Sequence, residues 1–159
     1  MKRLLSFLKN EDSGEQGQAI VEFALAMPLL LTLLCGILDF GWIYLNQYKV
    51  DYAAYAGARS GALHSTDPDS TLRTAVLNRV TSNLPSGTTV TTTTVKNNTI
   101  ETTIRTAGGS EGKISYELDS TNNTFTVTVE YPVKILTFVA GTVFNGSYYT
   151  ATATNVSPF

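Results

Sequence analysis

The sequence predicts an α+β protein. A long N-terminal transmembrane helix continues into a stalk and is followed by a small exported domain with one further helix and an antiparallel sheet. Three observations carry this prediction. Phe23 to Leu38 is a run of sixteen residues without a charge, bounded by Glu22 and Asp39. Just beyond it, tyrosines and small residues recur at helical spacing. Past about residue 88, apolar residues alternate with threonine and charged residues, which is the period of a half-buried strand. The mean hydropathy of +0.03 averages these unlike parts.

Composition removes several function classes. Charged residues make up 15% of the 159, against about 25% in an ordinary soluble domain. Eleven basic and thirteen acidic residues leave a net charge of −2 and a pI near 5.3. A nucleic-acid binder usually shows a basic patch and a far higher pI, so no nucleic-acid partner is expected. One cysteine and one histidine supply neither an intrachain disulfide nor a Cys/His zinc site. No phosphate loop, paired carboxylates or internal repeat stands out, so the sequence predicts no catalytic residue, cofactor or metal, and no enzyme.

In chain order, residues 1–17 read as a cytoplasmic leader, with Lys2, Arg3 and Lys9 followed by Glu11, Asp12 and Glu15. Residues 18–45 read as the transmembrane helix. The uncharged run alone spans about 24 Å at 1.5 Å per residue, short of a hydrocarbon core of about 30 Å. Flanking residues make up the difference, and Trp42, Tyr44 and Tyr48 fall where an outer aromatic belt belongs. Pro28 is tolerable in a membrane helix. The basic residues before the span place the N-terminus in the cytoplasm and the C-terminal domain outside. A cleaved secretory signal peptide, with Ala54-Tyr55-Ala56 as the cut site, fits less well. The apolar run is too long, and Asp39, Lys49 and Asp51 intervene.

Residues 46–63 read as a helical stalk. Tyr44, Tyr48, Tyr52 and Tyr55 form one stripe, expected to be the core beneath the sheet. Ala53, Ala54, Gly57, Ala58, Gly61 and Ala62 form a small face with a Gly57-x-x-x-Gly61 spacing. Such a face suits either subunit contact or packing within the domain.

Residues 64–159 are the exported domain. His64, expected to be exposed, precedes a turn through Pro68. Asp69 or Ser70 is the expected cap of a second helix running to about Asn83. Val90 to Lys96 and Ile100 to Arg105 read as a hairpin around Asn97-Asn98, with either a bulge or a different strand edge because Val90 and Val95 have opposite parity. Ile114, Tyr116 and Leu118 face one way on the next strand. Phe125, Val127, Val129 and Tyr131 do so on its partner after a turn at Ser120 to Asn123. Tyr148 to Val156 reads as the last strand. Val133 to Phe144, too short to span a bilayer, is expected to fill the core, with contact to a partner or a dip toward the membrane surface as the alternatives. Asn97, Asn122 and Asn145 match N-x-[ST], as chance provides in a threonine-rich chain. Low charge and short strands also suit self-association, so a homo-oligomer is one expectation.

The junction Gly17-Gln18-Ala19-Ile20-Val21-Glu22-Phe23 combines a glycine, a carboxylate five residues on, and an apolar helix. With GQAIVEFALAMPLLLTLLCGILDFGWIY and the small-residue segment AAYAGARSGA, the chain resembles the TadE-like pseudopilins of tight-adherence pili. The resemblance is concentrated in Gly17 to about Leu63. It implies cleavage by a prepilin peptidase between Gly17 and Gln18. It implies Glu22 as the registration residue that meets the new amino terminus of an adjacent subunit. Asp39, in Asp39-Phe40-Gly41, would either pair with a partner subunit or mark where the helix reaches water. The implied partners are other pilin or pseudopilin subunits, membrane assembly proteins and the peptidase. The implied location is the cytoplasmic (inner) membrane in a single pass, with incorporation into a surface pilus. The alternative is a single-pass adhesive or ligand-binding module whose helix is an uncleaved anchor. Glycine at the cut site has its own rationale, because it admits a protease to the backbone and keeps the leader from continuing as rigid helix.

Overall fold

A computed structural model of the chain describes residues 13–96, 99–137, 141–142 and 146–159. The charged residues at 2–12, the Asn97-Asn98 turn and residues 138–140 and 143–145 of the apolar segment lie outside the described residues.

Leucine and alanine, both strong helix formers, dominate the first element. Helix α1 (Ser13–Leu63) is a single α-helix of 51 residues, about 77 Å long at 1.5 Å per residue. It passes through Pro28, beside which the Thr32 hydroxyl donates to the Pro28 carbonyl at 2.8 Å. It also passes through Gly17, so glycine does not keep the leader side non-helical as expected. One glycine costs a helix only about 1 kcal/mol relative to alanine, and a long helix propagates through it.

Helix α2 (Asp69–Asn83) starts differently from the expectation. Pro68 occupies the N-cap position and no side chain caps the helix. The Pro68 carbonyl accepts from the Thr71 and Leu72 amides. Proline enters a helix well because its fixed φ is already suitable. Asp69 lies in the first turn, where a carboxylate favours the macrodipole.

The strands are β1 (Thr89–Lys96), β2 (Thr99–Arg105), β3 (Glu111–Asp119), β4 (Thr124–Lys134) and β5 (Tyr148–Pro158). They form one antiparallel meander in the order β1-β2-β3-β4-β5. The register of β1 on β2 shifts between Val90 and Thr92, a bulge that accounts for the parity mismatch. Asn123, in the β3–β4 turn, takes φ 51°, a left-handed conformation that asparagine tolerates.

The upper half of α1 and all of α2 cover one face of the sheet. The core joins Val50, Ala53, Ala54 and Ala58 of α1 with Leu72, Val76 and Val80 of α2. From the sheet come Ile104, Ile114, Tyr116, Phe125, Val127, Val129, Tyr131 and Ala151. Tyr116 stacks on Phe125 with centroids 5.7 Å apart.

The tyrosine stripe is therefore a correction. Tyr44, Tyr48, Tyr52 and Tyr55 are between 46% and 65% exposed, and the small residues take the inner position instead. The sheet already contributes the bulk through Phe125, Tyr116 and Tyr131, so close packing requires small partners opposite. In the apolar segment from Val133, residues Val133 and Lys134 belong to β4, Val133 and Ile135 are buried, and Leu136 turns outward. His64 is half-buried rather than exposed, with Nδ1 2.8 Å from the Ser60 carbonyl.

Candidate functional site

The helix divides into two stretches of different environment. From Gly17 to Leu34 every residue is exposed, and Cys35 is half-buried. The helix passes the length and composition requirements for crossing a membrane, and its most apolar window has none of its surface buried within the chain. Gly17 to Leu38 is about 33 Å of helix, which suffices for a hydrocarbon core of about 30 Å. A surface of Phe23, Leu25, Leu29, Leu30, Leu33 and Ile37 left open is not tolerated in water at this size. Its natural cover is lipid or other helices.

The sequence-predicted processing and registration residues lie at the start of this stretch. Gly17 has no atom within 4 Å of where a Cβ would stand, so its backbone is open to approach. Gln18 and Glu22 are exposed. Glu22 lies one turn beyond Gln18 on the same side of the helix. A carboxylate at this depth is costly, by about 2.5–3.5 kcal/mol at mid-bilayer and less near the edge. A cation from another chain is therefore a favourable partner.

Asp39 turns into its own chain and is 2% exposed. Its Oδ1 accepts from the amides of Leu136 and Thr137, at 3.0 Å each. Its Oδ2 accepts from the Thr137 hydroxyl. A buried carboxylate must be compensated, and three charge-assisted donors do so here. One turn further on, Trp42 Nε1 donates to the Lys134 carbonyl at 3.1 Å. Gln47 Nε2 donates to the Thr152 carbonyl of β5 at 3.0 Å. These contacts bind the helix to the end of β4, to the residues that follow it, and to the middle of β5. They begin at Asp39, inside the 18–45 stretch expected to be transmembrane.

Gly57 lies against α2 and the sheet, and Gly61 against the sheet. A Cβ on Gly57 would stand 2.5 Å from Val80 Cγ2 and 3.4 Å from Val127 Cγ1. A Cβ on Gly61 would stand 2.0 Å from Phe125 Cε1. Of the two roles left open for the small face, the geometry supplies packing within the domain.

Sequence reasoning did not reach Leu136, Thr137 or the Trp42–Lys134 contact, because they join residues more than ninety positions apart. The one available signal was an aspartate at the end of an apolar run. A groove of about 560 Å³ runs beside Tyr52, Tyr55, Arg59, His64 and Arg79. Burial pushes the Tyr116 phenol above its ordinary value, with the nearby Arg73 guanidinium pulling the other way. Its hydroxyl and Arg73 Nε are both buried without a well-formed hydrogen bond. Neither feature joins the residues at 17–39. No group of His, Cys, Asp and Glu among the described residues is arranged to hold a metal.

These features define an α+β protein with one candidate membrane-spanning helix, whose domain is assembled on the second half of that helix. Residues 17–59 match the family model of the TadE-like protein, so this stretch carries the TadE-like signature. No curated protein and no solved structure matches the chain.

Proposed function

We propose that the chain is a structural minor pilin or pseudopilin, not an enzyme, which supports assembly of a tight-adherence pilus or a related secretion machine. The observation that carries this reading is the TadE-like match, which begins at Gly17 and covers both the open stretch of α1 and most of the stretch that packs in the domain core. In this reading α1 holds the chain in the cytoplasmic membrane with its N-terminus inside. A prepilin peptidase cuts between Gly17 and Gln18. The bond lies within α1, and glycine eases the unwinding a protease needs. Cleavage exposes the Gln18 amine, which neutralises Glu22 of a neighbouring subunit as apolar helices pack side by side.

The test is the N-terminal sequence of the membrane-isolated protein, expressed with and without a prepilin peptidase. A start at Gln18 only with the peptidase supports the reading. An unchanged start at Met1 or a start at Gly57 overturns it. Glu22→Ala separates this reading from a mere anchor: it impairs assembly with sister subunits here, and changes nothing if the helix is only a tether.

A further inference from the structure

The register of the sheet gives the domain a near end and a far end relative to the apolar helix. Lys134 pairs with Tyr148 where β4 leaves the sheet, and two and three residues further on Leu136 and Thr137 are bonded to Asp39. Asp39 is the residue directly after the uncharged run. The near end therefore stands at the level where the span stops. At the far end lie Leu63, the β3–β4 turn and Pro158, which pairs with Thr124.

The near end has the chemistry of a membrane interface. Leu136 is 59% exposed, Trp42 39% and Tyr148 40%, and the Lys134 side chain is exposed. Trp42, Lys134 and Tyr148 border one cleft with Pro85, Ala107 and Pro132. The loops at this end, 85–88, 106–110 and 135–137, contain no acidic residue. Glu111 beside them is bound to Arg105 at 2.8 Å, and Asp39 is buried. Of the other carboxylates of the domain, Asp67, Asp69, Glu117 and Asp119 lie toward the far end, and Asp51, Glu101 and Glu130 stand between the two ends. Tryptophan and tyrosine favour the headgroup layer, and lysine is drawn to anionic lipid.

We propose that this end is a foot seated on the outer leaflet of the membrane that α1 crosses, with Trp42, Leu136 and Tyr148 in the interfacial layer and Lys134 among lipid phosphates. The proposal rests on α1 being the membrane anchor. The Asp39 contacts make it specific, because they hold Leu136 at a fixed height beside the last residue of the span. A loop on a flexible linker would have no such constraint.

Depth-dependent quenching tests it. The full chain carrying Cys35→Ala is labelled with an environment-sensitive fluorophore at Leu136→Cys, Tyr148→Cys, Leu30→Cys or Thr121→Cys. Each variant is reconstituted in phosphatidylethanolamine–phosphatidylglycerol vesicles containing lipids brominated near the headgroup or deep in the chain. The expected result is blue-shifted emission at 136 and 148 with loss of intensity to shallow bromines, deep quenching at 30, and a water-like signal at 121. Deep quenching at 30 with water-like emission at 136 and 148 overturns the foot and leaves the anchor standing. Blue-shifted emission at 136 and 148 without lipid quenching overturns it in favour of a protein partner. No quenching at 30 overturns the anchor reading, and the foot with it.

Discussion

A methyl group at position 61 tests how the domain is built on its helix. In Gly61→Ala the new Cβ would lie 2.0 Å from Phe125 Cε1 and 2.3 Å from Cδ1. The ring must retreat by about 1.5 Å to restore van der Waals contact. It has little room, because Phe125 is fully buried and stacks on Tyr116. Overpacking of this kind costs about 1–3 kcal/mol, and so large an overlap belongs at the upper end. Alanine returns about 1 kcal/mol of helix propensity, leaving a net loss of about 2 kcal/mol. For a domain of this size that lowers the melting temperature by about 6–12 °C. Thermal unfolding of the detergent-solubilised chain, followed by tyrosine absorbance, measures it. Gly41→Ala is the matched control, because nothing lies within 4 Å of its Cβ position. The reasoning is refuted if both variants melt with the parent. It is also refuted if Gly61→Ala melts normally yet loses contact with sister subunits, since the small face would then serve assembly.

Asp39→Ala leaves the Leu136 and Thr137 amides without their acceptor, so about 2–4 kcal/mol of local stability is lost. Amide exchange at 136 and 137 should accelerate far more than at Val127; equal protection would deny the contact any weight. Phe125→Ala empties the centre of the core and should destabilise the domain by about 3–5 kcal/mol in urea unfolding. Glu22→Gln should leave melting unchanged, because the side chain is exposed, while weakening recovery of sister subunits in a pull-down from membranes. The Asp119 carboxyl is held below its ordinary range by the Asn122 side chain and by the Thr121 and Asn122 amides. A depressed value means that the contribution to turn order is present above about pH 4 and lost as pH falls through the folded-state value. Exchange at Thr121 and Asn122, corrected for the intrinsic rate, should therefore rise on acidification, and Asp119→Asn should flatten that response.

Local pattern was legible in the sequence, and long-range placement was not. Alternation of Phe125, Val127, Val129 and Tyr131 fixes which face of β4 is buried, since a strand has only two faces. A parity break between Val90 and Val95 marked β1 as irregular, and the structure shows the bulge. The helix is harder, because several faces of α1 beyond residue 39 carry plausible core residues. Size favoured the tyrosines, but the sheet supplied the large side chains and selected alanine and glycine opposite. Asp39 shows the same limit. Its place at the end of the apolar run was plain, whereas its donors lie 97 and 98 residues away. Gly17, Gln18 and Glu22 stand out in the sequence because the pattern that marks them is local, and their roles belong to the proposed function.

The unbroken course of α1 from the apolar stretch into the domain leaves no swivel between them. Each residue of an α-helix advances by about 100° around its axis, so the seventeen positions from Glu22 to Asp39 set an angle as well as a distance. That angle determines the compass direction in which the sheet points when Glu22 faces a neighbour. One residue inserted between Leu38 and Asp39 would preserve every side chain and every hydrogen bond of the domain. It would still turn the whole sheet by more than a quarter of a circle about the rod.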